Sequence, residues 1–142
     1  MLEIDGLCAP GYGRAAVDLA FQLPRFALEC PEIAGCHLGT INLLLDRPLL
    51  VAKPDLRKQL AWGANPSQLA GFDILGIEIE APIGATPANA WLYIPHRSVH
   101  RKHLNVHEVI APKLPVKYGD RCRLRIDRAV EELPYLGIAV VL

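Results

Sequence analysis

Arg121-Cys122-Arg123-Leu124-Arg125-Ile126 alternates charge and apolar bulk over six residues. A β-strand sends successive side chains to opposite faces. Cys122, Leu124 and Ile126 are therefore expected inward, with Arg121, Arg123 and Arg125 in solvent. That pattern marks one strand of a sheet whose two faces see different surroundings. The turn before it, Lys117-Tyr118-Gly119-Asp120, isolates it from the preceding apolar segment, Val106 to Ala111, which is also strand-like.

Working outward, the same period recurs. Leu2 to Leu7 alternates apolar and acidic residues and reads as a half-buried strand. Ile74 to Ile83 places Ile77 and Ile79 on one face and Glu78 and Glu80 on the other. The turn from Gly84 to Asn89 leads into Ala90 to Ile94, so these two strands are expected to form a hairpin. Thr40 to Leu45 is another strand, closed by Asp46-Arg47-Pro48. The tail, Leu136 to Leu142, is apolar enough for a further strand or a packing segment. A strand is also expected from Arg14 to Leu19, and a helix within Phe21 to Cys30, beginning after Pro24. Residues Asp55 to Leu60 fit a helical turn or an irregular connection equally, and Gly63 to Ser67 reads as loop. Twelve prolines and eleven glycines cut the chain into short pieces. The fold expected is mostly β: a small six- or seven-stranded β-barrel with one or two short helices, one domain over residues 1–142.

Composition narrows the function. The chain has 142 residues, 51% of them hydrophobic, enough for a core and too many for disorder. Fifteen basic residues balance fifteen acidic ones, which argues against nucleic acid as a partner, since counterion release needs a surplus of cations. No apolar run is long enough to span a bilayer, so no membrane partner is expected. Glu3 and Asp5 interrupt any secretory h-region, so a cytoplasmic protein is expected. Cys8, Cys30, Cys36 and Cys122 lack C-x-x-C spacing and are expected as thiols.

Two groups of residues carry chemistry. Thr40 and Asn42, two apart on a strand after Gly39, share a face and offer a hydroxyl and a carboxamide oxygen, donors suited to a hard cation such as Mg²⁺. His96, His100, His103 and His107, spaced 4, 3 and 4 apart, would stack on one face of a helix and could hold a transition metal, with Cys36 and His37 as further candidates. Pro95, Val99 and Val106 oppose that helix, and a basic, phosphate-facing loop is the favoured alternative.

Four blocks, in order, resemble one known family. Leu2 to Arg14 is similar to its first strand and glycine loop, and Gly39-Thr40-Ile41-Asn42-Leu43 to its Gly-Thr-Leu-Asn-Leu. Tyr93-Ile94-Pro95 with His107-Glu108-Val109-Ile110-Ala111-Pro112 resembles its pre-proline strand and Glu-Ile-Ile-Ala-Pro segment. Lys117-Tyr118-Gly119-Asp120 looks like its Lys-Asp-Gly-Asp turn. The family is that of the archaeal-type CTP-dependent riboflavin kinases, cradle-loop β-barrels.

The resemblance implies transfer of a phosphoryl group from CTP to riboflavin, giving FMN. It places nucleotide on Gly11, Tyr12, Gly13 and Arg14, Mg²⁺ on Thr40 and Asn42, and flavin on Ser98 and Glu108, with Glu108 as the catalytic carboxylate. Lys113 is the remaining nucleotide candidate. The chain departs from the family at Ala9-Pro10, which stand where the loop's first glycines would be, and at Lys113-Leu114-Pro115-Val116, a shorter link than the family's. Those departures keep one alternative open, a non-catalytic flavin- or nucleotide-binding barrel with a regulatory role; the apolar tail, Tyr135 to Leu142, keeps another, a structural barrel whose tail packs on a second subunit.

Overall fold

The computed structural model describes residues 1–10, 15–62, 65–96 and 104–142. Among the described residues, ten strands and one α-helix follow in the order β1 (Leu2–Ala9), α1 (Ala15–Phe26), β2 (Thr40–Leu45), β3 (Leu49–Val51), β4 (Leu56–Trp62), β5 (Asn65–Glu80), β6 (Ala88–Pro95), β7 (Val106–Ile110), β8 (Arg121–Ile126), β9 (Val130–Leu133) and β10 (Ile138–Val141). A 3-10 turn, Pro31–Gly35, follows the helix.

Seven strands form one antiparallel sheet in the order β4, β5, β6, β7, β2, β1, β8. Its ends meet, because β8 also pairs with β5 over Glu78–Arg125, Ile79–Leu124 and Glu80–Arg123. Six strands thus close a barrel, and β4 extends β5 beyond it. Closure leaves the six barrel strands no unpaired edge along those contacts.

Period-2 alternation sets which residues fill the barrel. Leu2, Ile4 and Cys8 from β1, Leu43 and Leu45 from β2, Leu75, Ile77 and Ile79 from β5, and Cys122, Leu124 and Ile126 from β8 form its interior. On the opposite face of β8, the arginines meet the acidic alternates of β1 across the strand pair. Arg123 grips Asp5 through Nε and Nη2 at 2.8 and 3.1 Å, Arg125 reaches Glu3 at 2.8 Å, and Arg121 pairs with Asp46. The Asp5 carboxyl is held below the usual carboxylate range, chiefly by the Arg123 hydrogen bond.

A second core lies outside the barrel wall. Leu19, Leu23 and Phe26 of α1 pack on Phe72, Ile74, Trp91, Tyr93 and Ile110, the outward alternates of β5, β6 and β7. Phe26 meets the Phe72 and Tyr93 rings edge-on at 5.8 and 6.3 Å. A small sheet of β9, β10 and β3 covers one end, with β10 parallel to β3 and antiparallel to β9.

Several expectations need correction. Residues 15–19 are helix, not strand, and the helix ends at Phe26 instead of starting at Pro24. Leu19, Gln22, Leu23 and Phe26 are buried at i, i+3, i+4 and i+7, a helical stripe that outweighs the proline. Pro24 sits near the C-terminal end, where only one intrahelical N–H is lost. Asp55–Leu60 is neither a helical turn nor irregular: β4 begins at Leu56 and pairs with β5 from Leu56–Ile74 onward. Asn65 already belongs to β5, so the expected loop is shorter. Much of the apolar tail is internal, since Ala139, Val140 and Val141 are buried in β10, while Tyr135 and Leu136 at the β9–β10 turn are exposed.

Candidate functional site

Thr40 and Asn42 project from the outer face of β2, with the interior residue Ile41 between them. Register brings Asn42 opposite Ala9 of β1 on one side and opposite Glu108 of β7 on the other. Thr40 Oγ1 donates to Glu108 Oε1 at 3.0 Å. Asn42 Oδ1 is buried and receives no hydrogen bond from the described residues. The sequence-derived metal pair and the expected catalytic carboxylate are therefore neighbours.

Glu108 is half-buried and paired in register with Tyr93 of β6. Burial raises its carboxyl above the usual range; the Thr40 hydrogen bond opposes this and the charge of Asp18 on α1 adds to it. Tyr93 is buried, and its hydroxyl donates to Oε1 of Gln22, fully buried on α1, at 2.6 Å. Burial, with the charges of Glu108 and Asp18, pushes the Tyr93 phenol up, so it stays protonated.

Two cavities flank this group. β6 and β7 pair only over Trp91–Tyr93 and Glu108–Ile110. Beyond that, toward Pro95 and Val106, a cavity of about 400 Å³ opens, with Leu49, Val51, Tyr93, His96 and Glu108 in its wall. The second, of about 480 Å³, is lined by Thr40, Asn42, His37, Lys113, Leu114 and Lys117 among others. Glu108 belongs to the first and Thr40 to the second, so the 3.0 Å hydrogen bond runs through their common wall.

The far end of the first cavity holds an ion-pair cluster the sequence did not suggest. Asp73 is 4% exposed and accepts from Arg57 Nε and Nη2 at 2.9 and 3.0 Å and from His96 Nε2 at 2.9 Å. Burial raises its carboxyl, but the bonds from Arg57 and His96 outweigh burial and the net shift is downward. His107 is buried, its Nε2 2.8 Å from the Leu104 carbonyl and 3.1 Å from that of Leu49. Burial pushes its pKa down.

These contacts dispose of the four-histidine helix. His107 lies in β7 and His96 at the end of β6, each on its own partner; His100 and His103 fall outside the described residues. No group of three or more His, Cys, Asp or Glu side chains is placed to hold a metal among the described residues. Gly11, Tyr12, Gly13, Arg14 and Ser98 also lie outside them. β1 ends at Ala9, opposite Asn42. Lys113 is exposed at the second cavity.

Sequence reasoning missed Gln22, Arg57 and Asp73, and had Tyr93 only as the first residue of the Tyr93-Ile94-Pro95 block, with no role assigned to it. Among the described residues no helix is long and apolar enough to cross a membrane. Compared with models of known protein families and with curated proteins, the chain matches none.

Proposed function

We propose that this protein is a riboflavin kinase-like phosphotransferase, moving the γ-phosphoryl group of CTP or another nucleoside triphosphate to the ribityl hydroxyl of riboflavin. The observation that carries the reading is the Thr40–Glu108 hydrogen bond joining the walls of two cavities. A transferase needs two substrates to meet at one point, with a carboxylate on the acceptor's side and phosphate-compatible groups on the donor's. Glu108 meets the first need; Thr40, Asn42 and the ammonium groups of Lys113 and Lys117 meet the second.

In the step, the acceptor oxygen bonds to the γ-phosphorus as the bridging P–O bond breaks. The nucleoside diphosphate leaves with that electron pair, and the acceptor's proton passes to the Glu108 carboxylate, giving FMN. Thr40 orients Glu108 by donating to Oε1. Asn42 Oδ1, buried and without a donor among the described residues, fits a hard cation together with the Thr40 hydroxyl, and Mg²⁺ there would offset phosphate charge. Apolar walls from Leu49, Val51 and Val106 suit a flat ring system.

The test is direct. The protein incubated with riboflavin, CTP and Mg²⁺ is expected to release FMN, and Asn42→Ala to abolish turnover while leaving the melting curve intact. Pro10 provides no N–H for phosphate, which favours a second reading: a flavin-binding barrel without catalysis. Retained flavin binding with no turnover on any nucleoside triphosphate would select that reading.

A further inference from the structure

Cations gather at the second cavity without carboxylates to meet them. The arginines of β8, with Arg57, Arg128 and Lys58, each hold a carboxylate. Lys113 and Lys117 are exposed in the wall of the second cavity, and among the described residues neither is in an ion pair. No Asp or Glu among the described residues lines that cavity. Glu108 lies behind Thr40, on the other cavity, and Asp120 turns Oδ2 onto the Lys117 backbone N–H at 2.9 Å. In a chain of fifteen basic and fifteen acidic residues, this surplus is local, and it suits an anion.

Beside Lys117 the same wall carries Tyr118, 74% exposed. The turn that presents it is tied to β1. Cys8 N–H donates to the Asp120 carbonyl and Gly119 N–H to the Cys8 carbonyl, each at 2.8 Å, and the Asp120 N–H closes onto the Lys117 carbonyl at 3.0 Å. Gly119 takes a φ of 91°, which the turn needs and a side chain would strain. The aromatic face therefore stands on a fixed framework, and only two side-chain torsions are left for a ligand to order. Ile41, Leu114 and Val116 add apolar surface to the wall.

These two features define the ligand's chemistry. Inorganic phosphate would leave the ring and the apolar surface unused. A flat apolar ring alone would leave two ammonium groups unmatched. A chain of phosphates attached to a flat ring meets both. We propose that Tyr118 is the platform on which the base of a nucleoside triphosphate stacks, with Lys113 and Lys117 on its phosphates. Stacking uses a π face that every base has, so Tyr118 strengthens purine and pyrimidine nucleotides alike. The platform deepens the phosphotransferase reading and rests on it for the nucleotide's role as donor; binding itself does not need the transfer step.

Isothermal titration of the full chain with CTP, ATP and inorganic tripolyphosphate, each with Mg²⁺, tests it. Tyr118→Ser is expected to weaken CTP and ATP about tenfold each and to leave tripolyphosphate, which has no ring, unchanged. Tyr118→Phe keeps the face without the hydroxyl and is expected to bind like the unsubstituted protein. Lys113→Met with Lys117→Met is expected to weaken all three ligands. Nucleotide affinity unchanged in Tyr118→Ser overturns the platform. An equal loss of tripolyphosphate overturns it as well, since the turn and not the ring would then have been altered. A Tyr118→Phe variant as weak as Tyr118→Ser does the same, the hydroxyl then being the contact. No binding of any of the three by the unsubstituted protein overturns it outright. FMN formation separates the platform from the transferase reading. Ring-dependent nucleotide binding without FMN supports the platform and ends the transfer. FMN formation with an unchanged KM for CTP in Tyr118→Ser retains the transfer and overturns the platform.

Discussion

A methyl group added to Gly71 would sit 2.3 Å from Nδ1 of His96 and 2.9 Å from Cε1. That imidazole cannot swing aside freely, because Nε2 is fixed on buried Asp73 and the His96 backbone N–H donates to the Gly71 carbonyl at 2.9 Å. A glycine inside a strand weakens it, so its presence here follows from the close approach of the ring. Gly71→Ala is therefore expected to destabilise the protein by roughly 1–3 kcal/mol, the usual cost of overpacking. In a His96→Ala background the same change should be neutral or stabilising, and urea unfolding of the four proteins measures the coupling. His107 supports a second prediction. Its pKa is lowered in the folded state, so the unfolded chain binds the extra proton. The contribution is complete above the unfolded value of about 6.5 and is lost as pH falls below it. Unfolding free energies at pH 8 and pH 5 should differ less for His107→Gln than for the unsubstituted protein. None of this was visible in the sequence, where a histidine and a glycine 25 positions apart carry no mark of contact.

Elements were legible in proportion to how strictly one face is buried. β2 and β8 emerge with their observed bounds because Leu43, Leu45, Cys122, Leu124 and Ile126 all enter the core while their neighbours meet solvent or ion pairs. β4 was not legible: Arg57 and Lys58 follow one another, and their reasons lie far off, in Asp73 and in Glu29 at 2.8 Å. α1 was misplaced because Pro24 was read as a beginning; the spacing of Leu19, Leu23 and Phe26 held the better information. The Thr40–Asn42 pair could be read from its period, but its junction with Glu108 depends on the β2–β7 register, which no local pattern fixes. The helix invites a test at its own scale. Phe26 is fully buried between α1 and the outer wall, against Phe72 and Tyr93. Phe26→Ala is expected to cost about 3–5 kcal/mol, and Val17→Ala, on the exposed face, less than about 0.5. Hydrogen exchange should show α1 amides losing protection before those of the barrel, whose interior is a separate cluster. Simultaneous loss in both would mean the helix and barrel open as one unit.

In the whole molecule, the C-terminal strand closes the end of the barrel next to the first cavity. β10 runs parallel to β3 over Ala139–Leu49, Val140–Leu50 and Val141–Val51, and Leu49 and Val51 belong both to the barrel core and to the cavity wall. β3 has three residues and, among the described residues, pairs with β10 alone, so its placement depends on β10, on the His107 contact to the Leu49 carbonyl and on the Leu49 N–H, which donates to the Leu104 carbonyl at 2.8 Å. Removing residues 138–142 would strip β3 of its ladder and uncover Leu49, Ala139's partner, to water. The truncated chain is expected to melt at a lower temperature, to bind a hydrophobic dye such as ANS, and to lose ligand affinity at the first cavity while Lys113, Thr40 and Asn42 keep their places at the second. Tyr135→Ser with Leu136→Ser, at the exposed turn of the same hairpin, should change none of these, because both side chains already face solvent. A truncation that melts and binds like the full chain would show that β3 is held by the barrel alone, and the cavity wall would then have to be assigned to β6 and β7 without it.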